Sequence, residues 1–142
     1  MKLIIDTNRI ISALLKEGWT REVITSNKFE FYTIDYVMEE LRKHKKYILK
    51  KAKMSNTDFE LLFNLVMDNI SIISDKKIKD KMKKATTIMK DIDINDSPIL
   101  ACALSIQNEG IWTEDKHFAK QNNVKIMENK RLKGIYIVKD FF

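Results

Sequence analysis

The chain has 142 residues, of which 44% are hydrophobic and 32% charged, with only 3 Gly and 1 Pro. This length fits one folded domain over residues 1–142, and the composition is typical of an ordered, helix-rich protein. The formal net charge of +6 favours a polyanionic partner. A single cysteine allows no internal disulfide, so we expect a reducing, cytoplasmic setting. No run approaches the roughly 20 apolar residues that span a bilayer, which excludes a membrane partner.

Strand-like and helix-like apolar patterns alternate along the chain. Leu3-Ile4-Ile5 is a short apolar run typical of a buried strand, and Ser97-Pro98 is a strong helix start. In chain order, the spacing predicts a strand at 3–5, helices at 10–15 and 21–26, a strand at 29–33, a helix from 35, a helix at 57–66, a strand at 70–73, helices at 78–89 and 99–106, a strand at 111–113, a brief helix at 117–121, and edge strands at 124–127 and 135–138. This alternation indicates an α/β fold with a mostly parallel sheet.

Acidic residues follow several of these apolar runs. Asp6 comes directly after the first strand, Glu40 follows the second, Asp96 opens the apolar helix at 99–106, and Asp115 follows the strand at 111–113. Carboxylates at the carboxyl ends of parallel strands meet in the crevice where open α/β sheets bind ligands. Acids gathered there repel one another unless a cation neutralises them, and oxygen-rich clusters suit Mg²⁺ or Mn²⁺. The pattern predicts a divalent metal centre.

Each acid also has an ordinary structural interpretation. Asp6, Asp96 and Asp115 each precede a helix start, where an acidic side chain is a common cap. Glu40 lies within a helical stretch, where a surface glutamate is usual. Four acids at four matching topological positions favour the metal centre over four independent coincidences.

These residues give the chain its resemblance to a known family. Four parts of the chain resemble the ordered motifs of PIN domains: Leu3 to Asn8, Met38 to Leu41, Asp93 to Pro98 with Ala101 to Leu104, and Trp112 to Phe118. PIN domains are metal-dependent ribonucleases, and they include the VapC toxins of toxin–antitoxin pairs. The resemblance implies a PIN-like three-layer sandwich of helices around a short parallel sheet. It also implies RNA as substrate, an antitoxin protein as partner, and frequent homodimers.

The resemblance also assigns roles to residues. It implies that Asp6, Glu40, Asp96 and Asp115 are the four catalytic, metal-binding acids, and that Thr7 and Asn8 orient Asp6. Two alternatives to this assignment stay open. Either Asp91 or Asp93 could share the metal-binding role of Asp96, and Glu114 could take the role of Asp115.

Phosphodiester hydrolysis explains why such a set is needed. One or two Mg²⁺ or Mn²⁺ ions held by Asp6, Asp96 and Asp115 activate water and offset phosphate charge, and Glu40 completes the set or acts as general base. Thr7 and Thr113 are placed to hydrogen-bond these acids. His44 and His117 lie in charged, surface-like contexts and are not expected to be ligands.

A basic run follows Glu40 directly. Its seven cations have no intervening acid and are Arg42, Lys43, Lys45, Lys46, Lys50, Lys51 and Lys53. The run has two interpretations. In the first, its cations line the approach to the site and bind RNA phosphates; in the second, they form a solvated helical face. The second run, 76–84, alternates with apolar residues and fits an outer helical face.

Two other function classes compete with the nuclease. A phospho-acceptor receiver domain also places acids at strand ends, but Asp6-Thr7-Asn8 lacks the adjacent acidic pair that class needs. A degenerate PIN-like domain that binds RNA or a partner without cleavage is the other alternative. Scattered glycines exclude a dinucleotide-binding loop.

Overall fold

The fold is that of a computed structural model, which describes residues 1–139. These residues form five strands, β1 (Lys2–Ile5), β2 (Glu30–Ile34), β3 (Ile70–Ile73), β4 (Ile111–Trp112) and β5 (Ile126–Met127). They also form seven α-helices, α1 (Thr7–Leu15), α2 (Trp19–Thr25), α3 (Asp35–Ala52), α4 (Asn56–Met67), α5 (Asp75–Met89), α6 (Ser97–Ser105) and α7 (Asn129–Lys139). Short 3₁₀ turns span Ile94–Asp96 and Phe118–Lys120.

The five strands pair in the order β3-β2-β1-β4-β5, and every pairing is parallel. β1 is the central strand of this order, and its residues Leu3, Ile4 and Ile5 are fully buried, as expected for a strand covered on both faces. Ile4 pairs with Tyr32 of β2 on one side and with Ile111 of β4 on the other. The predicted α/β class with a parallel central sheet is confirmed.

Two helical layers follow from the order of the strands. α1 packs against α2, α3 and α4, whereas α5 packs against α6. Crossovers between parallel strands are right-handed. The connections from β1 to β3 therefore place α1–α4 on one face, and the reversed connection from β3 to β4 places α5 and α6 on the other. The resulting three layers are the expected sandwich.

The main error of the sequence prediction concerns residues 135–138. We expected an edge strand there, but these residues belong to α7. Leu132 and Tyr136 are its buried residues, four positions apart, and the Tyr136 ring contacts Trp19 and stacks on Phe29. These contacts outweigh the strand preference of an Ile-Tyr-Ile-Val run, because packing overrides local propensity. The edge strand predicted at 124–127 is present as the shorter β5.

Candidate functional site

The candidate site lies at the carboxyl ends of β1 and β4, where the strand order reverses around β1. Open α/β sheets bind ligands at such switch points. A cleft of about 370 Å³ opens there and is lined by Asp6, Thr7, Asn8, Ile11, Tyr36, Glu40, His44, Asn95, Asp96, Ile99 and Asp115. The structure therefore brings together the four predicted acids with Thr7 and Asn8.

Asp6 follows β1 and occupies the N-cap position of α1, yet within residues 1–139 its side chain makes no capping hydrogen bond. Its Oδ2 atom instead accepts a hydrogen bond of 2.8 Å from the hydroxyl of Thr113. Asp6 is 7% exposed, and this burial raises its pKa above the ordinary value. The ordinary capping interpretation therefore fails for this residue, and its carboxylate faces the cleft.

Thr113 connects the ends of β1 and β4. Its hydroxyl donates to Asp6 and accepts a hydrogen bond of 2.9 Å from the backbone N–H of Asp115. The side chain is buried, and the bond to Asp6 is shielded from water, whereas the bond from Asp115 is only partly buried. The predicted contact between Thr113 and the acids is present, and its catalytic importance stays a prediction.

Asp96 lies at the start of α6 and, like Asp6, carries no side-chain capping bond in the described part of the chain. Its Oδ2 atom is buried and has no hydrogen-bond partner among residues 1–139. Burial and then repulsion from Asp115, Asp93 and Asp6 raise the pKa of Asp96 to about 7. A buried oxygen surrounded by like charges is stabilised by a cation.

Glu40 reaches the cleft from the first half of α3. Tyr36, Glu40 and His44 recur every four residues and line the cleft together, as side chains on one helix face do. A hydrogen bond to Glu40 is the main cause that raises the pKa of Tyr36 to about 12. The Nδ1 atom of His44 donates to the backbone carbonyl of Glu40 over 2.8 Å. Sequence reasoning did not assign Tyr36 to the site and placed His44 in a surface-like context, although the spacing of both residues relative to Glu40 was a usable signal for their place in the cleft.

The side chain of His117 is 42% exposed and lies beside three acids. Its Nδ1 atom lies 3.3 Å from Asp93 Oδ2, 3.4 Å from Asp115 Oδ1 and 3.6 Å from Asp96 Oδ2. The backbone N–H of His117 donates to Asp115 Oδ1, which turns the segment after β4 back towards residues 93–96. The charged surroundings expected for His117 are therefore present, and the expectation that it is not a metal ligand stays a prediction.

The three acids left open by the sequence have different positions. Asp91 is exposed and does not line the cleft. Asp93 accepts a hydrogen bond from the N–H of Asn95 through Oδ1 and directs Oδ2 at His117. Glu114 is exposed, and its carboxylate accepts from the N–H of Asn129 at the start of α7. Asp115 therefore faces the cleft, whereas Glu114 hydrogen-bonds the start of α7. Asp93 lies next to the acidic cluster.

The basic run after Glu40 lies on α3, and its members have unequal surroundings. Lys45 forms an ion pair of 2.8 Å with Glu60 and lies over the Phe59 ring. Lys51 lines a neighbouring cleft of about 630 Å³ with Lys16 and Trp19. The other cations of the run, Arg42, Lys43, Lys46, Lys50 and Lys53, are exposed. Lys45 is therefore the least available for an added partner.

The donor set fits a hard divalent cation. Carboxylate oxygens predominate around the cleft, and such oxygens are the preferred ligands of Mg²⁺ and Mn²⁺. The unpartnered oxygen of Asp96 supplies an acceptor that no donor of the described chain satisfies. No helix within the described residues is long and apolar enough to cross a membrane.

Comparison with known proteins gives one family. A sequence model described as PIN domain matches residues 4–133, which is most of the chain and includes every acid of the cleft. No curated protein matches the sequence significantly.

Proposed function

The chain belongs to the PIN-domain family, and from this premise we propose that it is a metal-dependent endoribonuclease. PIN domains are generally nucleases, typically use divalent metals and bind nucleic acid. The observation that carries the proposal is the buried, unpartnered Oδ2 of Asp96 beside Asp6, Asp93 and Asp115, which together raise its pKa. Such an arrangement favours a divalent cation over solvent.

Asp6, Asp96, Asp115 and Glu40 are the residues that would hold Mg²⁺ or Mn²⁺. When bound, the ion supplies an activated water and offsets the charge that develops on the scissile phosphate. The protein contributes the positions of the acids. Thr113 fixes Asp6 and the backbone of Asp115 through one hydroxyl, so the groups contributed by β1 and β4 keep a constant separation.

Glu40 is the residue best placed to accept a proton from the attacking water. It reaches the cleft from α3, on a different element from Asp6 and Asp115. The hydrogen bond with Tyr36 orients the carboxylate and leaves its remaining lone pairs free for water. A proton acceptor held in this way favours hydrolysis of a phosphodiester bond.

RNA phosphates are proposed to follow α3 away from the acids. Lys43, Lys50 and Lys51 lie within about 80° of Glu40 around the helix axis, given 3.6 residues per turn. Lys51 continues this side into the cleft that holds Lys16 and Trp19. Cations along this line would counter the phosphate charges that flank the cleaved bond.

A VapC-type toxin activity, with an antitoxin partner and a homodimeric state, is a narrower form of the proposal. Leu61 and Leu65 on α4 are 67% and 54% exposed, one turn apart, which suits a protein partner. Growth arrest on induction that requires Asp96, together with a short neighbouring reading frame whose product relieves the arrest, would support this form. A wild-type nuclease that does not affect growth would contradict it.

The nuclease proposal is tested with Asp6→Asn and Asp96→Asn. Both changes keep side-chain size but remove a ligand charge, so RNA cleavage with Mg²⁺ or Mn²⁺ should fall at least about 100-fold, beyond the tenfold or more typical of outer-shell changes. Glu39→Gln is the matched control, because Glu39 is exposed beside Glu40 and outside the cleft lining.

Circular dichroism and thermal melting should show that all three variants fold. Cleavage at the wild-type rate by either aspartate variant would refute the assignment. RNA binding without metal-dependent cleavage by the wild type would instead favour the degenerate, RNA-binding alternative. The family match already argues against a receiver domain.

A further inference from the structure

His117 brings a nitrogen donor to an acidic centre that is otherwise supplied by oxygen. Its Nδ1 atom, Asp93 Oδ2 and Asp96 Oδ2 form a group in which one ligand atom from each residue lies within 4.8 Å of the others. Across residues 1–139, neither Nδ1 of His117 nor Oδ2 of Asp96 makes a hydrogen bond, although both atoms are buried. Three potential ligand atoms therefore lie close enough together to bind one ion.

The distances between these atoms distinguish two explanations. A charge-assisted hydrogen bond from an imidazole N–H to a carboxylate is about 2.7 to 2.9 Å long, whereas the observed separations are 3.3 Å to Asp93 and 3.6 Å to Asp96. Donor atoms about 2.1 Å from one octahedral cation lie about 3 Å from their neighbours and about 4.2 Å from the opposite donor. The observed separations, like the 3.4 Å to Asp115 Oδ1, are longer than such a hydrogen bond and lie between the two separations of donors around one ion.

Two of the three residues, Asp93 and His117, also take part in local hydrogen bonds with backbone N–H groups. The Oδ1 atom of Asp93 accepts from the N–H of Asn95 over 3.0 Å, which leaves Oδ2 directed at the imidazole. The backbone N–H of His117 donates to Asp115 Oδ1 over 2.9 Å. Both bonds are made without using the converging atoms, so those atoms stay available.

We propose that His117, Asp93 and Asp96 form a divalent-cation position beside the four-acid cleft, and that the imidazole makes this position select Mn²⁺ over Mg²⁺. The inference rests on the proposed metal-dependent function. Imidazole nitrogen suits transition metals, whereas Mg²⁺ is held by oxygen ligands. Asp96 lines the cleft as well, so its carboxylate joins this position to the four-acid centre, as shared carboxylates do in two-metal nuclease sites.

The test is pulsed EPR of Mn²⁺ bound to the purified full-length protein. The chain contains two histidines, His44 and His117, so an imidazole ¹⁴N coupling to Mn²⁺ has two sources. His117→Gln should abolish the coupling, and His44→Gln, the matched control, should retain it. Incorporation of ¹⁵N-histidine should convert the wild-type ¹⁴N signal into a ¹⁵N signal.

Calorimetry gives a second readout that does not depend on activity. His117→Gln should weaken Mn²⁺ binding at least about tenfold, as even outer-shell changes do, and leave Mg²⁺ binding unchanged. Melting curves establish that the variant is folded.

Bound Mn²⁺ without histidine coupling, or coupling that survives His117→Gln, would overturn this inference while leaving the four-acid centre intact. Equal loss of Mg²⁺ and Mn²⁺ affinity would overturn the claim of selectivity. Failure of the wild type to bind Mn²⁺ at all would overturn both this inference and the proposed metal-dependent function.

Discussion

At the scale of single residues, two buried threonine hydroxyls on neighbouring parts of the sheet have different tasks. Thr113 bridges Asp6 and the backbone of Asp115, whereas Thr33 donates to the carbonyl of Ile5. Both side chains are buried. The same substitution at the two positions therefore separates an effect on the acids from an effect on the fold.

Thr113→Val should lower Mn²⁺ affinity and RNA cleavage by roughly 10- to 100-fold, the usual cost of losing a bond that orients a metal ligand. Thr33→Val should leave metal affinity unchanged. Each variant also loses a buried hydrogen bond, so each should lose about 1–3 kcal/mol of folding free energy. Calorimetric titration and urea unfolding measure the two effects. Equal metal affinities for the two variants would contradict a positioning role for Thr113.

The raised pKa of Asp96 predicts that this residue makes the folded protein less stable as the pH rises, which is the reverse of the usual effect of a carboxylate. The folded protein keeps this proton up to about pH 7, whereas the unfolded chain releases it near the ordinary value of 3.8. Between these values the native state binds more protons, so raising the pH favours unfolding. Asp6 is shifted in the same direction.

We therefore expect the metal-free protein to lose stability from Asp96 as the pH rises from about 4 to 7. Asp96→Asn removes this contribution, so the melting temperature of the variant minus that of the wild type should increase over the interval. Saturating Mn²⁺ should raise the wild-type melting temperature, since it binds the native state, and more at the higher pH. A constant difference in melting temperature between the metal-free proteins would contradict the assigned pKa.

The acids and the histidine show what sequence alone could predict at this scale. Asp6, Asp96 and Asp115 each sit beside a strand end or a helix start, so their approach to one another follows from strand order. His117 lies in a turn without regular periodicity. The hydrogen bond from its N–H to Asp115 is a local turn pattern that spacing can indicate. Its contact with Asp93 is a tertiary contact, which spacing does not indicate.

At the scale of elements, α3 carries the proposed RNA path. Its buried residues include Val37, Leu41 and Ile48, which leaves most of its cations in solvent. Lys45 forms an ion pair with Glu60, so reversing its charge would place two acids together and remove its contact with the Phe59 ring of α4. A test of the path should leave Lys45 unchanged.

Reversal of Lys43, Lys50 and Lys51 to Glu should weaken RNA binding and reduce the slope of log affinity against log salt, by roughly one unit for each lost phosphate contact. The matched control reverses Lys77, Lys83 and Lys84 on α5, which are exposed and lie in the opposite layer. Both variants change the net charge equally. Titrations of fluorescent RNA at several salt concentrations, with melting curves as a folding check, give the comparison. Equal losses would favour a general charge effect over a path along α3.

Some of the strands and helices were easier to predict from the sequence than others. β1 and α6 were evident because a central strand and a central helix are apolar almost throughout. α7 was missed because Gly134 disfavours a helix and the β-branched residues that follow it favour a strand locally. Its helical state depends on contacts of Tyr136 with Trp19 and Phe29, which are more than 100 residues away in sequence.

At the scale of the whole molecule, the alternation of elements was enough to predict an α/β sheet that is in fact fully parallel. The net charge of +6 acts over longer distances, since it attracts polyanions and raises the rate of encounter at low salt. The net charge does not indicate where RNA would be cut. In the proposed function, cleavage takes place at the acidic cleft at the switch point of the sheet.

The most direct measurement of the central claim uses a covalently closed, single-stranded RNA circle, which only an internal cut can linearise. The purified wild-type protein should convert circles to linear RNA with millimolar Mn²⁺ and should fail to do so with excess EDTA. Asp96→Asn should leave the circles closed under both conditions while remaining folded. Circles that stay closed with the wild type and Mn²⁺, or that open equally with EDTA or with Asp96→Asn, would contradict the account.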